Sequence, residues 1–235
     1  MKTAVVTGGN RGLGRGFVES LTARGYRVFA TVRTLNAELK IKFPGLQQVI
    51  LNVGDSASLE SAVAQIKSLT DSVDVILNNA ALSRSSSEVG GAAKVCKLGS
   101  LSRESLLKII DVNAVEPILL IQGLLPLLKS NPCYCIQISS ARGSLYMDET
   151  SNSSANYGYR VSKTALTMMT RAMVDDLPKN VRTFAVHPGL VKTDMNPEGL
   201  ITPAESAEKI LSIMDKWQPS MNGNFLNNDG TQWPR

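Results

Sequence analysis

Apolar residues along the chain follow two rhythms. Short runs recur at Lys2 to Thr7, Arg27 to Val32, Gln47 to Val53, Val73 to Leu77, Cys133 to Ile138, Val181 to Val186 and Asn224 to Asn227. Runs of this length and character predict strands buried on both faces. Between them, apolar positions recur at helical spacing. Arg15 to Arg24 carries Phe17, Val18 and Leu21 on one side, and Ala57 to Leu69 carries Leu59, Val63 and Ile66. Longer helical stretches are expected from Ser102 to Lys129, from Ala155 to Leu177 and from Pro203 to about Trp217. Gly25 is a C-terminal stop, Ser56 a cap, and Thr202-Pro203 a helix start. Residues 35–46 are left open between a short helix and a loop. The Ser- and Gly-rich stretch 82–100 is expected to be a mobile loop. Alternating strands and helices predict an α/β fold with a parallel sheet.

Pro117 lies inside the Ser102 to Lys129 stretch and should kink or break it. Asn113 is four residues earlier. Pro117 has no N–H to return to the Asn113 carbonyl, which is then available to a water. Leu119, Leu120, Ile121, Leu124, Leu125 and Leu128 make the later half of the stretch strongly apolar.

Size and composition narrow the class. The 235 residues are 43% hydrophobic, which suits one soluble domain spanning 1–235. No apolar run is read as long enough to span a bilayer. No long apolar segment with a cleavage site opens the chain, so a cytoplasmic location is expected rather than secretion. Cys133 and Cys135 are two apart on one strand face and cannot easily bond each other, which fits core thiols in a reducing compartment. The net charge of +5 is scattered rather than blocked, so nucleic acid is not an expected partner.

The first strand runs into Gly8-Gly9-Asn10-Arg11-Gly12-Leu13-Gly14 and then a helix and a strand. In that context the glycines let backbone approach a pyrophosphate, and the helix N-terminus offers free N–H groups. An acidic residue usually ends the second strand when an NAD ribose is bound. Here the sequence reads Thr31-Val32-Arg33-Thr34. Arg33, with Arg11 as a second clamp, suits a 2′-phosphate instead, so NADP(H) is preferred over NAD(H). Either arginine could also be a solvated surface charge. Asn52 and Val53, at the end of the third strand, are placed where an adenine ring could pack.

Tyr159 and Lys163 are four residues apart, one turn along one helix face. An ammonium beside a phenol is expected to lower the phenol's pKa, making an acid–base pair for a hydroxyl or carbonyl group. By itself the spacing also describes an ordinary surface pair. His187 is the only histidine; a structural role at its strand end is favoured.

Taken together, Thr7-Gly8-x-x-x-Gly12-x-Gly14, Asn78-Asn79-Ala80, Asn113, Ser140, Tyr159-x-x-x-Lys163 and Pro188-Gly189 resemble the short-chain dehydrogenase/reductase family over essentially the whole chain. The likeness is greatest to C-factor/sniffer-like carbonyl reductases. It implies a single-domain Rossmann-type doubly wound sheet of about seven strands, in order 3-2-1-4-5-6-7. It implies Tyr159 as proton donor to a carbonyl and Lys163 as its partner and ribose ligand. Ser140 would polarise the carbonyl, and the Asn113 carbonyl would hold a relay water. The cofactor would lie against Gly8, Asn10, Arg11, Gly12, Leu13, Gly14, Arg33, Asn52, Val53, Asn79, Ala80, Tyr159, Lys163, Pro188, Gly189, Val191 and Thr193. The partners implied are a small carbonyl or alcohol and a second copy of the chain, as homodimer or homotetramer, with no membrane partner. A cofactor-binding sensor with little turnover is the alternative.

Three departures from the family pattern stand out. Asn52 replaces an expected Asp, and Ala81 an expected glycine. Ser140 and Tyr159 are 19 residues apart, which predicts a longer loop over 141–155 that includes Tyr146. Ser139 competes with Ser140, and Tyr157 with Tyr159, but no lysine lies four residues after Tyr157. The short span from Thr193 to Thr202 leaves little room for a lid.

Overall fold

A computed structural model describes residues 1–146 and 156–234. Its centre is one parallel seven-stranded sheet in the order β3-β2-β1-β4-β5-β6-β7. The strands are β1 (Thr3–Thr7), β2 (Arg27–Val32), β3 (Gln47–Ile50), β4 (Val75–Asn78), β5 (Cys133–Ile138), β6 (Val181–His187) and β7 (Phe225–Asn227). Val5 sits beside Phe29 on one side and Ile76 on the other. Every residue of β1 and β5 is buried, as their continuous apolar runs require.

Helices cover both faces. On one, α1 (Gly12–Ala23) and α8 (Pro203–Asp215) pack Phe17, Leu21, Ile210 and Leu211 against Val6, Leu77 and Phe184. A Cβ at Gly16 would lie 2.6 Å from the Pro203 carbonyl oxygen, so these two helices touch through backbone. On the other face, α3 (Ser56–Leu69) and α6 (Glu116–Leu124) bury Val63, Ile66, Leu120 and Leu124 over Val5, Ile76, Cys133 and Cys135. Both of those cysteines are free thiols, as their shared strand face demands.

Several boundaries differ from the sequence reading. Asp55, not Ser56, caps α3, accepting from the Ser58 N–H at 3.1 Å. A carboxylate outside the helix serves the free N–H groups that Ser56, already helical, does not serve. Residues 37–42 form α2 (Ala37–Lys42), capped by the Asn36 side chain. The 82–100 segment is not a featureless loop. It contains a 3₁₀ turn at Ser87–Val89 and α4 (Ala93–Cys96), because Val89 and Val95 are fully buried in a small cluster with Ile109 and Val112.

Pro117 neither breaks nor ends its helix. The chain passes from α5 (Arg103–Ile110) through a π turn, Asp111–Val115, into α6. Pro117 falls in the first turn of α6, directly after the π turn, where a proline is tolerated. Taken as one stretch, Arg103–Leu127 is long and apolar enough to cross a membrane by length and composition, at mean hydropathy 1.4, which corrects the sequence reading. Half of its most apolar window is buried inside the protein. Its apolar count combines a face in the core with Leu107 and Leu119 on the open side.

Candidate active site

The site is built along the C-terminal edge of the sheet, where β1 and β4 part. After β1 the chain turns with positive φ at Gly8 (67°) and Gly12 (53°) and enters α1. A Cβ at Gly14 would fall 2.1 Å from the Gly8 carbonyl oxygen, so only glycine fits. The first turn of α1 has no side-chain cap and no acidic residue. Its free N–H groups and the positive end of its dipole therefore remain for an anion. This bare, glycine-lined helix start fits the pyrophosphate of a dinucleotide. Thr7 ties the turn to the next strand. Its Oγ1 accepts from the Asn79 and Ala80 N–H groups, both at 2.9 Å, and the Asn79 amide donates to the Thr7 carbonyl at 2.9 Å.

The residues flanking the turn are held by local contacts. Leu13 is buried against the core. Thr193 lies against Gly12, whose added Cβ would meet its methyl group at 3.3 Å. The Pro188 carbonyl accepts from Ser206 Oγ at 2.7 Å and from the Asn228 amide at 3.1 Å. Gly189 has φ +85° and faces Asn228. Val191 bridges to Ile201. Asn10 accepts from the Asn36 amide at 2.5 Å. Asn52 donates its backbone N–H to Ser58 at 2.9 Å. The two arginines are engaged: Arg11 pairs with Asp194 at 3.0 Å, and Arg33 pairs with Glu88.

At the other end, β5 delivers Ser139 and Ser140, and α7 (Tyr157–Ala172) delivers Tyr159 and Lys163. The Asn156 side chain caps α7 by accepting from the Tyr159 N–H at 3.4 Å. The two serines separate cleanly. Ser139 is buried, bonded to the Lys163 carbonyl at 3.2 Å and to Thr167 at 2.9 Å. Ser140 is half-buried; its hydroxyl accepts from the Arg142 N–H at 3.2 Å and lowers the pKa of the Tyr159 phenol. Tyr157 sits on the exposed side of the helix.

Lys163 is 3% exposed; its ammonium donates to the Ile138 carbonyl at 2.7 Å and lies 5.7 Å from the Tyr159 ring centre. Burial pulls its pKa down to about 7. Burial also pushes the Tyr159 phenol up, opposed by the Ser140 hydrogen bond and the Arg142 charge. The expected depression of the phenol by Lys163 is therefore not what this geometry gives. Desolvation outweighs the nearby charges, and the lysine bonds a carbonyl rather than the phenol oxygen.

Asn113 lies in the π turn and is buried. Its side chain accepts from Leu82 N–H at 2.7 Å and donates to the Leu82 carbonyl and to Ser162 at 2.9 and 3.0 Å. That frees only its main chain for other work. His187 accepts from the Ala141 N–H at 3.3 Å through Nδ1 and packs 4.9 Å from the Trp233 ring. Burial lowers it to about 4, so it is a neutral acceptor holding the turn after Ser140. Of the expected 141–155 loop, residues 147–155 lie outside the described residues; Leu145 and Tyr146 before them are exposed.

Sequence reasoning missed Glu116 and Ser162. Glu116 is a charged residue in an apolar helical run, which was the available signal. Ser162 is an ordinary small residue whose role appears only once α7 meets the π turn.

Known proteins share this arrangement. Residues 2–201 match the profile of the short chain dehydrogenases. A short chain dehydrogenase from Penicillium aethiopicum, gsfK, is 32% identical over 98% of this chain and 98% of its own. The NADPH-bound carbonyl reductase from chicken fatty liver superposes with a TM-score of 0.87 at 28% identity, over 100% of this chain and 99% of that one. The carbonyl reductase Sniffer of D. melanogaster gives 0.86 at 27% identity over the full length of both. A match over most of the sequence, on a sheet with this strand order and this glycine turn, means that the chain belongs to the short chain dehydrogenase family of oxidoreductases.

Proposed function

We propose that the protein is an NADP(H)-dependent reductase of aldehydes and ketones with Tyr159 as proton donor. The observation that carries this reading is the buried Lys163 ammonium over the Tyr159 ring, 5.7 Å from its centre, with Ser140 placed to lower the phenol's pKa. Bound nicotinamide supplies the hydride, which no side chain can. Ser140 and Tyr159 offer two O–H donors to one carbonyl oxygen, matching the negative charge that develops there. A phenol raised by burial stays protonated at neutral pH, which suits the acid role and hence reduction. Lys163, near 7, exchanges protons readily, and an anionic dinucleotide beside it favours its charged form. The Asn113 carbonyl, which Pro117 cannot serve, is assigned to a water that feeds protons from solvent.

The preference for NADP(H) rests on Arg33 and Arg11. Their ion pairs are largely exposed and hold them weakly, so a 2′-phosphate can take over from Glu88 and Asp194. The likeness to an NADPH-bound carbonyl reductase supports the same reading. The 191–201 excursion is folded back by bridges from Val191 to Ile201 and from Thr193 to Asn196. It supports an open pocket with loose specificity for small carbonyl compounds. Exposed Leu107, Leu119, Val161 and Met168 on the two long helices support pairing of copies. Free thiols at Cys96, Cys133 and Cys135 support a reducing compartment, the cytoplasm in this reading.

Steady-state kinetics with NADPH and NADH against a panel of aldehydes, ketones and quinones is the test. The expected result is carbonyl-dependent oxidation of NADPH, weaker with NADH. Tight NADPH binding with no turnover across the panel would overturn the reading.

A further inference from the structure

Lys108, Val112 and Glu116 follow one another at intervals of four along α5, the π turn and α6. All three close on Gly54, just past Asn52 and Val53. The Lys108 ammonium donates to the Gly54 carbonyl at 3.0 Å. The Gly54 N–H donates to Glu116 Oε2. Gly54 has φ +82°, and a Cβ there would meet Val112 at 2.9 Å. One helical stretch thus holds both backbone polar groups of this glycine and leaves no room for a side chain.

Glu116 is 5% exposed and Asn78 3%. Glu116 Oε1 and Asn78 Oδ1 have no hydrogen-bond donor among the described residues. Both side chains line one small cavity together with Thr7, Val53, Ala80 and Val112. Two buried acceptors on one cavity call for a donor, and a proton on the carboxyl provides one. Burial raises Glu116 to about 7; the Gly54 N–H and Lys108 oppose the rise, while Asp111 and Asp55 add to it. The rest of the cavity lining is neutral, with Thr7 from β1 and Asn78 from β4 as its polar members.

We propose that Glu116 is a positioning residue for the adenine end of the dinucleotide site, fixing the 52–54 loop through Gly54, and that dinucleotide binding is coupled to proton uptake by its carboxyl. The inference rests on the dinucleotide reading above. A dinucleotide bound at this edge would shield the carboxyl from water, and its phosphates would add negative charge. Both favour the neutral acid.

The experiment is NADPH titration by fluorescence, from about pH 6 to about pH 8.5, on wild type, Glu116→Gln and Glu116→Ala. Wild-type affinity is expected to fall above neutrality by up to about tenfold per pH unit beyond any fall in the variants. Lys163 and the ligand phosphate titrate in all three proteins, so the difference in slope belongs to Glu116. Glu116→Gln keeps an acceptor for Gly54 and should show only the pH dependence that Lys163 and the ligand phosphate give. Glu116→Ala should share that shallower profile but bind more weakly at every pH. Parallel wild-type and variant curves would overturn the proton coupling, and equal affinities for the two variants would overturn the positioning role. Failure of folded wild type to bind NADPH at any pH would overturn the dinucleotide reading and this inference together.

Discussion

At the scale of single residues, the two serines at the end of β5 make the sharpest test of the assigned roles. Ser140 acts on the Tyr159 phenol, whose pKa it lowers, whereas Ser139 turns into the protein toward Lys163 and Thr167. Ser140→Ala is expected to lower kcat by about 10²–10³ with little change in thermal stability, the usual effect of removing one donor to a developing oxyanion. Ser139→Ala should do the reverse: lose about 1 kcal/mol of stability and keep most of its turnover. Kinetics and thermal melts on the pair settle it; equal kinetic losses would sink the assignment. Tyr159→Phe should cost about 10²–10⁴ in kcat. Because the hydroxyl, not the ring, carries that role, NADPH affinity measured by fluorescence should stay within a few-fold. A variant that keeps its turnover would remove Tyr159 as proton donor.

At the scale of elements, the glycine turn before α1 shows what the sequence could and could not disclose. The spacing of Gly8, Gly12 and Gly14 after a buried strand was enough to locate the turn. Each glycine answers a local need, a positive φ or a backbone contact, and local needs leave a local mark. Tyr159 and Lys163 were legible for the same reason, since four residues on a helix is a fixed geometry. The Gly54 clamp was not legible, because it joins residues 62 positions apart through a π turn whose phase no helical periodicity predicts. The phenol's pKa was misjudged because burial is a property of the packed molecule. Two glycines outside these hidden contacts make a controlled comparison. Gly14→Ala would drive its Cβ against the Gly8 carbonyl and the Asn79 amide, at 2.1 and 2.7 Å. It should weaken NADPH binding by at least about tenfold, because close helix–strand packing shapes the phosphate cradle. Gly25→Ala meets nothing within 4 Å but has φ +78°. It should cost about 1–2 kcal/mol of stability and leave binding untouched. Urea unfolding and NADPH titration on both variants check the contrast; unchanged binding in Gly14→Ala would sink it.

At the scale of the whole molecule, His187, Glu116 and Lys163 push the pH dependence of stability in opposed directions. His187 is lowered from 6.5 to about 4 by burial, so the unfolded chain binds the extra proton between those values and stability rises with pH there. Glu116 is raised from 4.5 to about 7, so the native state holds the extra proton and stability falls with pH across that window. Lys163 is lowered from 10.5 to about 7, so its own contribution to stability rises with pH from about 7 toward 10.5. The His187 and Glu116 slopes oppose each other from 4.5 to 6.5, and together they should leave a shallow region before the Lys163 rise. Single substitutions unmask each slope. Glu116→Gln should make the protein steadily more stable from about pH 4 to about pH 6.5, because only the His187 slope remains. His187→Gln should make it steadily less stable from about pH 4.5 to about pH 7, because only the Glu116 slope remains. Denaturant midpoints at constant ionic strength, taken without cofactor at intervals across this range, read the slopes directly. If the two variants changed stability with pH in the same direction, one of these buried groups would not titrate as its surroundings dictate.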